Sequence, residues 1–336
     1  ADIANCTLII VDAGQNTIKV RNSLTKSGQY QLFINSGTLT VPNSVTLTLT
    51  DWAEVREGGT LTVEKGGALV LSAVTDGLTS GLKVDGALNN AGTLTVGAEG
   101  GLLIFGDGAL SNTGTLTLSS PDAYLGLDGH MENGGALAIQ ANAGMDINEG
   151  GVLHNSGAVS LAAGDEDGGN RGFLFLKNGS ITGTKIDGIE IVDRYDDQTR
   201  TPGQFPHGTA YGDYRAEVWT EAGLKAAMAS NKDYTHCEVG RDWSEDGSPL
   251  PTTLILSSPA TLEKPLDVGA GVTLTANGNL TVKKHLGVSD GGKLVLGANA
   301  NLFLTTEGCD LYIGPDGTLD ADGTVTVGDS ENHANV

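Results

Sequence analysis

Apolar and polar positions alternate along this chain in short bursts, and the bursts return at a near-constant interval. In Gly92-Thr-Leu-Thr-Val96 a strand would place Leu94 and Val96 on one side and Thr93 and Thr95 on the other. The same burst closes an eleven-position phrase, glycine, x, apolar, x, asparagine, x, glycine, x, apolar, x, apolar. It occurs at Gly86 to Val96, Gly108 to Leu118, Gly129 to Ile139 and Gly151 to Leu161. Its asparagines, Asn90, Asn112, Asn133 and Asn155, stand 22, 21 and 22 residues apart. So steady a period predicts a solenoid in which each coil stacks on the last.

One coil of about 22 residues holds three short strands. They are the glycine-leucine-asparagine piece, the Thr-Leu-Thr-Val piece, and a third such as Leu102 to Phe105 or Tyr124 to Leu127. This predicts an all-β fold, a right-handed parallel β-helix of roughly triangular section, its hand following the general preference of parallel crossovers. The phrase glycines are expected at corners that demand positive φ, with asparagine the next most tolerant residue. The stacked asparagines are expected to pass amide hydrogen bonds from coil to coil as a structural ladder. Thr60 and Thr62, Thr93 and Thr95, and Thr115 and Thr117 are expected to rank on one outer face. Such ranks occur on ice-binding solenoids, but this one decays to Ala136, Ala138, Ala158 and Ser160, and β-propensity accounts for the threonines.

The period breaks in three places. Ala162 to Arg171 is a glycine-rich acidic insertion, and longer steps of 33 residues (Gly59 to Gly92) and 31 residues (Gly292 to Gly323) resemble one another, so the second half reads as a shorter copy of the first. Between the halves, Asp193 to Gly208 gathers proline, glycine and charge. The expected organisation is a first β-helix domain at 1–195, a linker or crossing at 196–214, and a second β-helix domain at 215–336. The second opens with a helix near 220–229, which Thr220 caps and which places Leu224, Ala227 and Met228 on one face. The run Glu217-Val-Trp-Thr-Glu-Ala-Gly-Leu-Lys-Ala-Ala-Met228, followed by an irregular stretch and strands around Gly271-Val-Thr-Leu-Thr275, resembles the entry of secreted bacterial right-handed β-helix proteins of the pectate-lyase-like fold. That resemblance implies a helix plugging the open end of the stack, where unpaired strand edges would otherwise be exposed. It brings no catalytic residues, because none of that family's calcium-aspartate and arginine constellations matches positions here.

Composition narrows the partners. Fifty glycines and 5% aromatic residues suit short strands and many turns, and 41 acidic against 19 basic residues give a formal charge of −22. That charge disfavours nucleic acid and anionic bilayers as partners. No apolar run approaches the roughly 18 residues of a membrane span, so no membrane insertion by this chain is expected. The chain opens at Ala1 without methionine or a charged-then-apolar leader, as expected of a secreted protein whose leader has been removed. Cys6, Cys237 and Cys309 are too few for a disulfide framework; buried thiols and a Cys237 to Cys309 bridge are the competing readings.

Chemistry is sparse. Asp165, Glu166 and Asp167 in the insertion, with Asp193, Asp196, Asp197, Arg171 and Arg194, are the densest charged group, and Asp165 and Asp167 are the candidates for a weak calcium site. No other cofactor is implied. His130 and His154 fall at different positions of the repeat and do not stack. Of the tryptophans, Trp219 is expected to fill the cap and Trp52 to mark entry to the Gly59 coil, leaving Trp243, in a polar loop, as the candidate for binding a sugar. No phosphate loop or nucleophile elbow appears. These features point to a non-enzymatic β-helix module of an extracellular, bacterial cell-surface protein, adhesive, ligand-presenting or a spacer, with a glycan or a host or cell-surface protein as partner. The competing classes are a polysaccharide lyase or glycoside hydrolase and a non-catalytic glycan-binding protein.

Overall fold

The computed structural model describes residues 9–26, 32–50, 52–72, 80–97, 100–119, 122–164, 171–196, 200–241, 250–289, 291–304 and 308–327. It is a parallel β-solenoid with three strands to the coil and one short helix among the described residues. The chain divides into two compact units, residues 1–191 with 201–212, and residues 192–200 with 213–336.

In the first unit each coil turns through three faces. The asparagine face carries Ala87–Asn90, Ala109–Asn112, His130–Asn133 and Val152–Asn155. The threonine face carries Thr93–Val96, Thr115–Leu118, Ala136–Ile139 and Ala158–Leu161. The third, here the front face, carries Ala53–Val55, Ser80–Val84, Gly100–Ile104, Tyr124–Leu127, Gly144–Ile147 and Phe173–Lys177. Near the start of the stack the long strand Leu32–Val41 pairs with Ala53–Val55 along one half and with Gly59–Val63 along the other, which joins the front and asparagine faces into one sheet. Identical registers put like on like: Leu61, Leu88, Leu110, Met131 and Leu153 form one inward column, all at most 1% exposed. Each such side chain contributes roughly 1.5–3 kcal/mol by burial, so the stack is held by columns rather than by one central cluster.

The ladder forms. Asn90 Nδ2 donates to Asn112 Oδ1, Asn112 Nδ2 to Asn133 Oδ1, and Asn133 Nδ2 to Asn155 Oδ1, each at 2.8 Å, and all four side chains are buried. The second amide hydrogens of Asn90 and Asn112 go to the carbonyls of Thr115 and Ala136. The ladder is therefore polarised, and its Asn90 end has Val63 as coil neighbour, leaving Asn90 Oδ1 buried without a donor.

Two expectations are corrected. The phrase glycines do not take positive φ. The second of each phrase is required instead by the close approach of coils: a Cβ at Gly114, Gly135 or Gly157 would lie 2.1–2.2 Å from the carbonyl oxygen of the equivalent glycine one coil earlier. Thr60 and Thr62 do not share a face with Thr93 and Thr95. They pair with Ala87 and Asn89 on the asparagine face, whereas Thr93 and Thr95 pair with Thr115 and Thr117. The burst Gly-Thr-Leu-Thr-Val suits either face, and the 33-residue step runs one coil and then one face further.

In the second unit the faces are Thr252–Leu256, Val272–Ala276, Lys293–Leu296 and Thr318–Ala321; Ala260–Leu262, Leu280–Val282, Asn301–Leu304 and Thr324–Val327; and a charged face of Arg215 to Val218, His236–Val239, Leu266–Val268, His285–Val288 and Asp310–Ile313. The helix, Glu221–Ala229, begins where Thr220 Oγ1 accepts from the Gly223 amide at 3.0 Å, and it buries Leu224, Ala227 and Met228 as expected. Cys237 and Cys309 are buried free thiols, which resolves the two readings against a bridge; burial pushes Cys237 up to about 12. Cys6 lies outside the described residues.

Candidate functional site

Asp165, Glu166, Asp167, Asp197 and Trp243, among the candidates read from sequence, lie outside the described residues. The rest of the acidic group is not assembled into one site. Asp193 is fully buried and accepts from the Tyr214 and Tyr234 hydroxyls at 3.0 and 2.8 Å, so it serves the interior of the second unit. Arg194 lies 4.4 Å over the Trp219 ring and 3.4 Å from Asp196, which Arg200 also pairs at 2.8 Å. Trp219 lies flat against Gly240, where a Cβ would sit 2.1 Å from the indole. Arg171, in the first unit, pairs with Glu190. His130 and His154 are offset, as expected: the register sets His130 against Val152 and Glu132 against His154. Among the described residues no group of three His, Cys, Asp or Glu side chains could hold a metal.

Two surfaces do concentrate chemistry. On the charged face of the second unit, alternation points Arg215, Glu217, His236, Glu238, Asp267, His285 and Asp310 outward while Ala216, Val218, Cys237, Leu266 and Leu286 point in. Glu217, Glu238 and Asp267 form one column, a coil apart each, which is about 4.8 Å between neighbouring strands. Arg215 Nε donates to Glu238 at 2.8 Å and lies 3.2 Å from Asp213 and 3.9 Å from Glu217. Burial opposes its charge, but these carboxylates outweigh that and raise its pKa. Burial, with Glu238 nearby, also raises Asp267, against the opposing pull of His236 and His285. His285 bridges two carboxylates, Nδ1 at 2.6 Å from Asp310 and Nε2 at 3.9 Å from Asp267. Arg215, Glu217, Glu238, Arg241, Asp267 and Ser289 line a cavity of about 330 Å³.

The front face of the first unit is different. Every aromatic residue among the described residues of 9–177 stands on its outer side: Phe33, Trp52, Phe105, Tyr124, Phe173 and Phe175. Four of these rings carry a cation that is itself paired with a carboxylate. Arg56 lies 4.4 Å over Phe33 and pairs with Glu54; Lys83 covers Phe105 and pairs with Asp85; Arg171 covers Phe173 and pairs with Glu190; Lys177 covers Phe175 and pairs with Asp146. Among the described residues, no cation covers Trp52 or Tyr124 in this way. Trp52 donates to Glu54 at 3.3 Å and Tyr124 to Asp146 at 3.1 Å. Burial and Asp146 both raise the Tyr124 pKa, which keeps its hydroxyl a donor.

Sequence reasoning missed both surfaces. The alternation of charged and apolar residues in Tyr211–Val218 and His236–Val239 was a usable signal, but the coil register that stacks one strand on the next was not.

No protein-family model matches the chain, and no curated protein matches it. Five solved chains match in structure. One is the crystal structure of a TibC-catalysed hyper-glycosylated TibA fragment, 15% identical, with 98% of this chain and 94% of that one covered and a TM-score of 0.29. At that score the likeness carries no inference about this chain. No helix among the described residues is long and apolar enough to cross a membrane.

Proposed function

We propose that the chain is a non-enzymatic β-helix module of an extracellular, bacterial cell-surface protein, whose rigid stack presents an adhesive surface. The observation that supports this reading is the front face of the first unit. Aromatic and arginine side chains are enriched where proteins bind partners, and here they gather on one face while the threonine face carries small residues. The partner is a glycan or a surface protein. The test is saturable binding of the full chain to polysaccharides and to cell-surface preparations, with assays for new reducing ends and unsaturated products run in parallel, with and without calcium. Saturable binding without turnover supports the module; turnover refutes it.

A second reading, glycoside hydrolysis, is favoured by one specific arrangement: Glu238 and Asp267 on neighbouring coils, with His285 and Arg215 beside them. Retaining hydrolases set two carboxylates about 5 Å apart and need one of them held protonated; the upward shift of Asp267 fits that role. Turnover lost in both Glu238→Gln and Asp267→Asn would establish this reading. Turnover lost instead in Asp165→Ala or Asp167→Ala would place the chemistry in the insertion.

A further inference from the structure

The charged face of the second unit carries two outward columns, and they converge on His285. Registers stack Glu217, Glu238, Asp267, Gly287 and Tyr312 in one column. The other pairs Arg215 with His236 and, further along, His285 with Asp310. Asp267 and the His285 ring close over Gly287: a Cβ there would lie 2.6 Å from Asp267 Oδ1 and 3.0 Å from His285 Nε2, so a side chain at this position would push them apart. The imidazole thus stands between carboxylates on the coils either side of its own, Nδ1 at 2.6 Å from Asp310 and Nε2 at 3.9 Å from Asp267. A neutral imidazole has one N–H and one lone pair, whereas imidazolium donates from both nitrogens. Only the charged ring can serve both carboxylates.

The surrounding charges do not relieve this demand. Glu238 lies one coil before Asp267, and Arg215 is engaged by Glu238, Asp213 and Glu217. His236 lies 3.7 Å from Asp213, and Arg241, which lines the cavity with Asp267, donates to the Ala270 carbonyl at 3.4 Å. Lys283 pairs with Glu263, and Lys284 precedes His285 in the chain. Burial raises the Asp267 pKa against the pull of His236 and His285, so its ionised form leans on those rings. The seam that His285 spans is also a weak one. Asp310–Ile313, Thr318–Ala321 and Thr324–Val327 each pair on one side only among the described residues, and their inward Leu319 and Val325 are incompletely buried. A coil held from one side opens more readily than one inside the stack.

We propose that His285 is a proton-operated clamp on the coil at 310–327. In mild acid its imidazolium bonds Asp267 and Asp310 at once and ties that coil to the two before it. Between pH 5 and 8, where imidazole ordinarily changes charge, loss of the proton leaves one carboxylate facing a lone pair, and the coil loosens. Because the charged ring serves two carboxylates in the closed coil and loses Asp310 when the coil opens, the clamp holds at the acid end and is lost as pH rises. The device does not depend on which partner the module binds.

The test is native-state hydrogen exchange of the full chain from pH 5.5 to 8, corrected for the intrinsic pH dependence of amide exchange. One linked proton changes an opening constant by at most tenfold per pH unit, and protection at the amides of Asp310–Ile313 is expected to fall about tenfold across the window. Protection at Ala109–Asn112 in the first unit serves as the internal comparison and should stay level. His285→Gln should remove the pH dependence at the level of the open clamp. His285→Lys, a permanent cation, should remove it while keeping the coil protected throughout, so a flat profile cannot be ascribed to a lost fold. Asp310→Asn should flatten the profile from the other end of the bridge, whereas His236→Gln should leave it in place. Protection at Asp310–Ile313 that does not change with pH in the unaltered chain, or a change that survives His285→Gln, overturns the clamp.

Discussion

The asparagine ladder makes an asymmetric prediction about four residues that look equivalent in sequence. Replacing Asn112 by alanine removes one acceptor from Asn90 Nδ2, which keeps the Thr115 carbonyl, and removes the donor to Asn133 Oδ1, leaving one more buried polar group unpaired. Replacing Asn90 removes the donor to Asn112 Oδ1 but also removes Asn90 Oδ1, which is already buried without a partner, so the number of unpaired side-chain groups does not rise. The two sites share a strand position and a burial, so the cavity left by Asn→Ala nearly cancels in the comparison. With a buried unpaired group costing about 1–3 kcal/mol, Asn112→Ala should destabilise its coils by about 1–3 kcal/mol more than Asn90→Ala. Stacked coils unfold regionally, so the measurement is native-state hydrogen exchange at the amides of Ala87–Asn90, Ala109–Asn112 and His130–Asn133. Equal loss of protection in the two variants, or a greater loss in Asn90→Ala, would refute the polarised ladder.

Further predictions concern close approach, acid and thiol reactivity. Gly114→Ala should cost several kilocalories per mole, because its Cβ would lie 2.1 Å from Gly92 O, whereas Gly144→Ala should be neutral; paired thermal melts distinguish them. Glu221 is held down to about 2, first by Lys225 and then by Ser258 and Ser257. A carboxyl with a folded pKa below its unfolded value near 4.5 stabilises above that value and loses the contribution as pH falls toward 2. Helix protection in the second unit should therefore decline across that window, and Glu221→Gln should flatten the decline. Thr220→Ala should cost about 1 kcal/mol at the same helix through its lost cap, independent of pH. Cys237, buried and with its pKa pushed up to about 12, should resist thiol reagents in the folded chain and react only on denaturation; rapid native labelling would contradict its place in the core.

The repeating phrase determined the solenoid because the period of a coil is written directly in the spacing of Asn90, Asn112, Asn133 and Asn155. Inward and outward sides were equally legible, since a strand alternates whatever it stacks upon, and the Thr220 cap was readable because a helix start is a local event. Which face a burst belongs to was not local. Gly59 to Val63 and Gly92 to Val96 read alike, yet pair on different faces, because assignment depends on the number of residues in the preceding turn. The same limit hid the two surfaces. Trp52, Tyr124, Gly144 and Phe173 lie up to 121 residues apart in the chain and share no motif; Glu217, Glu238 and Asp267 are separated by unequal steps across a helix and its following loop. Sequence alone decided that coils form and what fills them. Only the stacking register, a sum of every turn and insertion before it, decided which exposed side chains become neighbours.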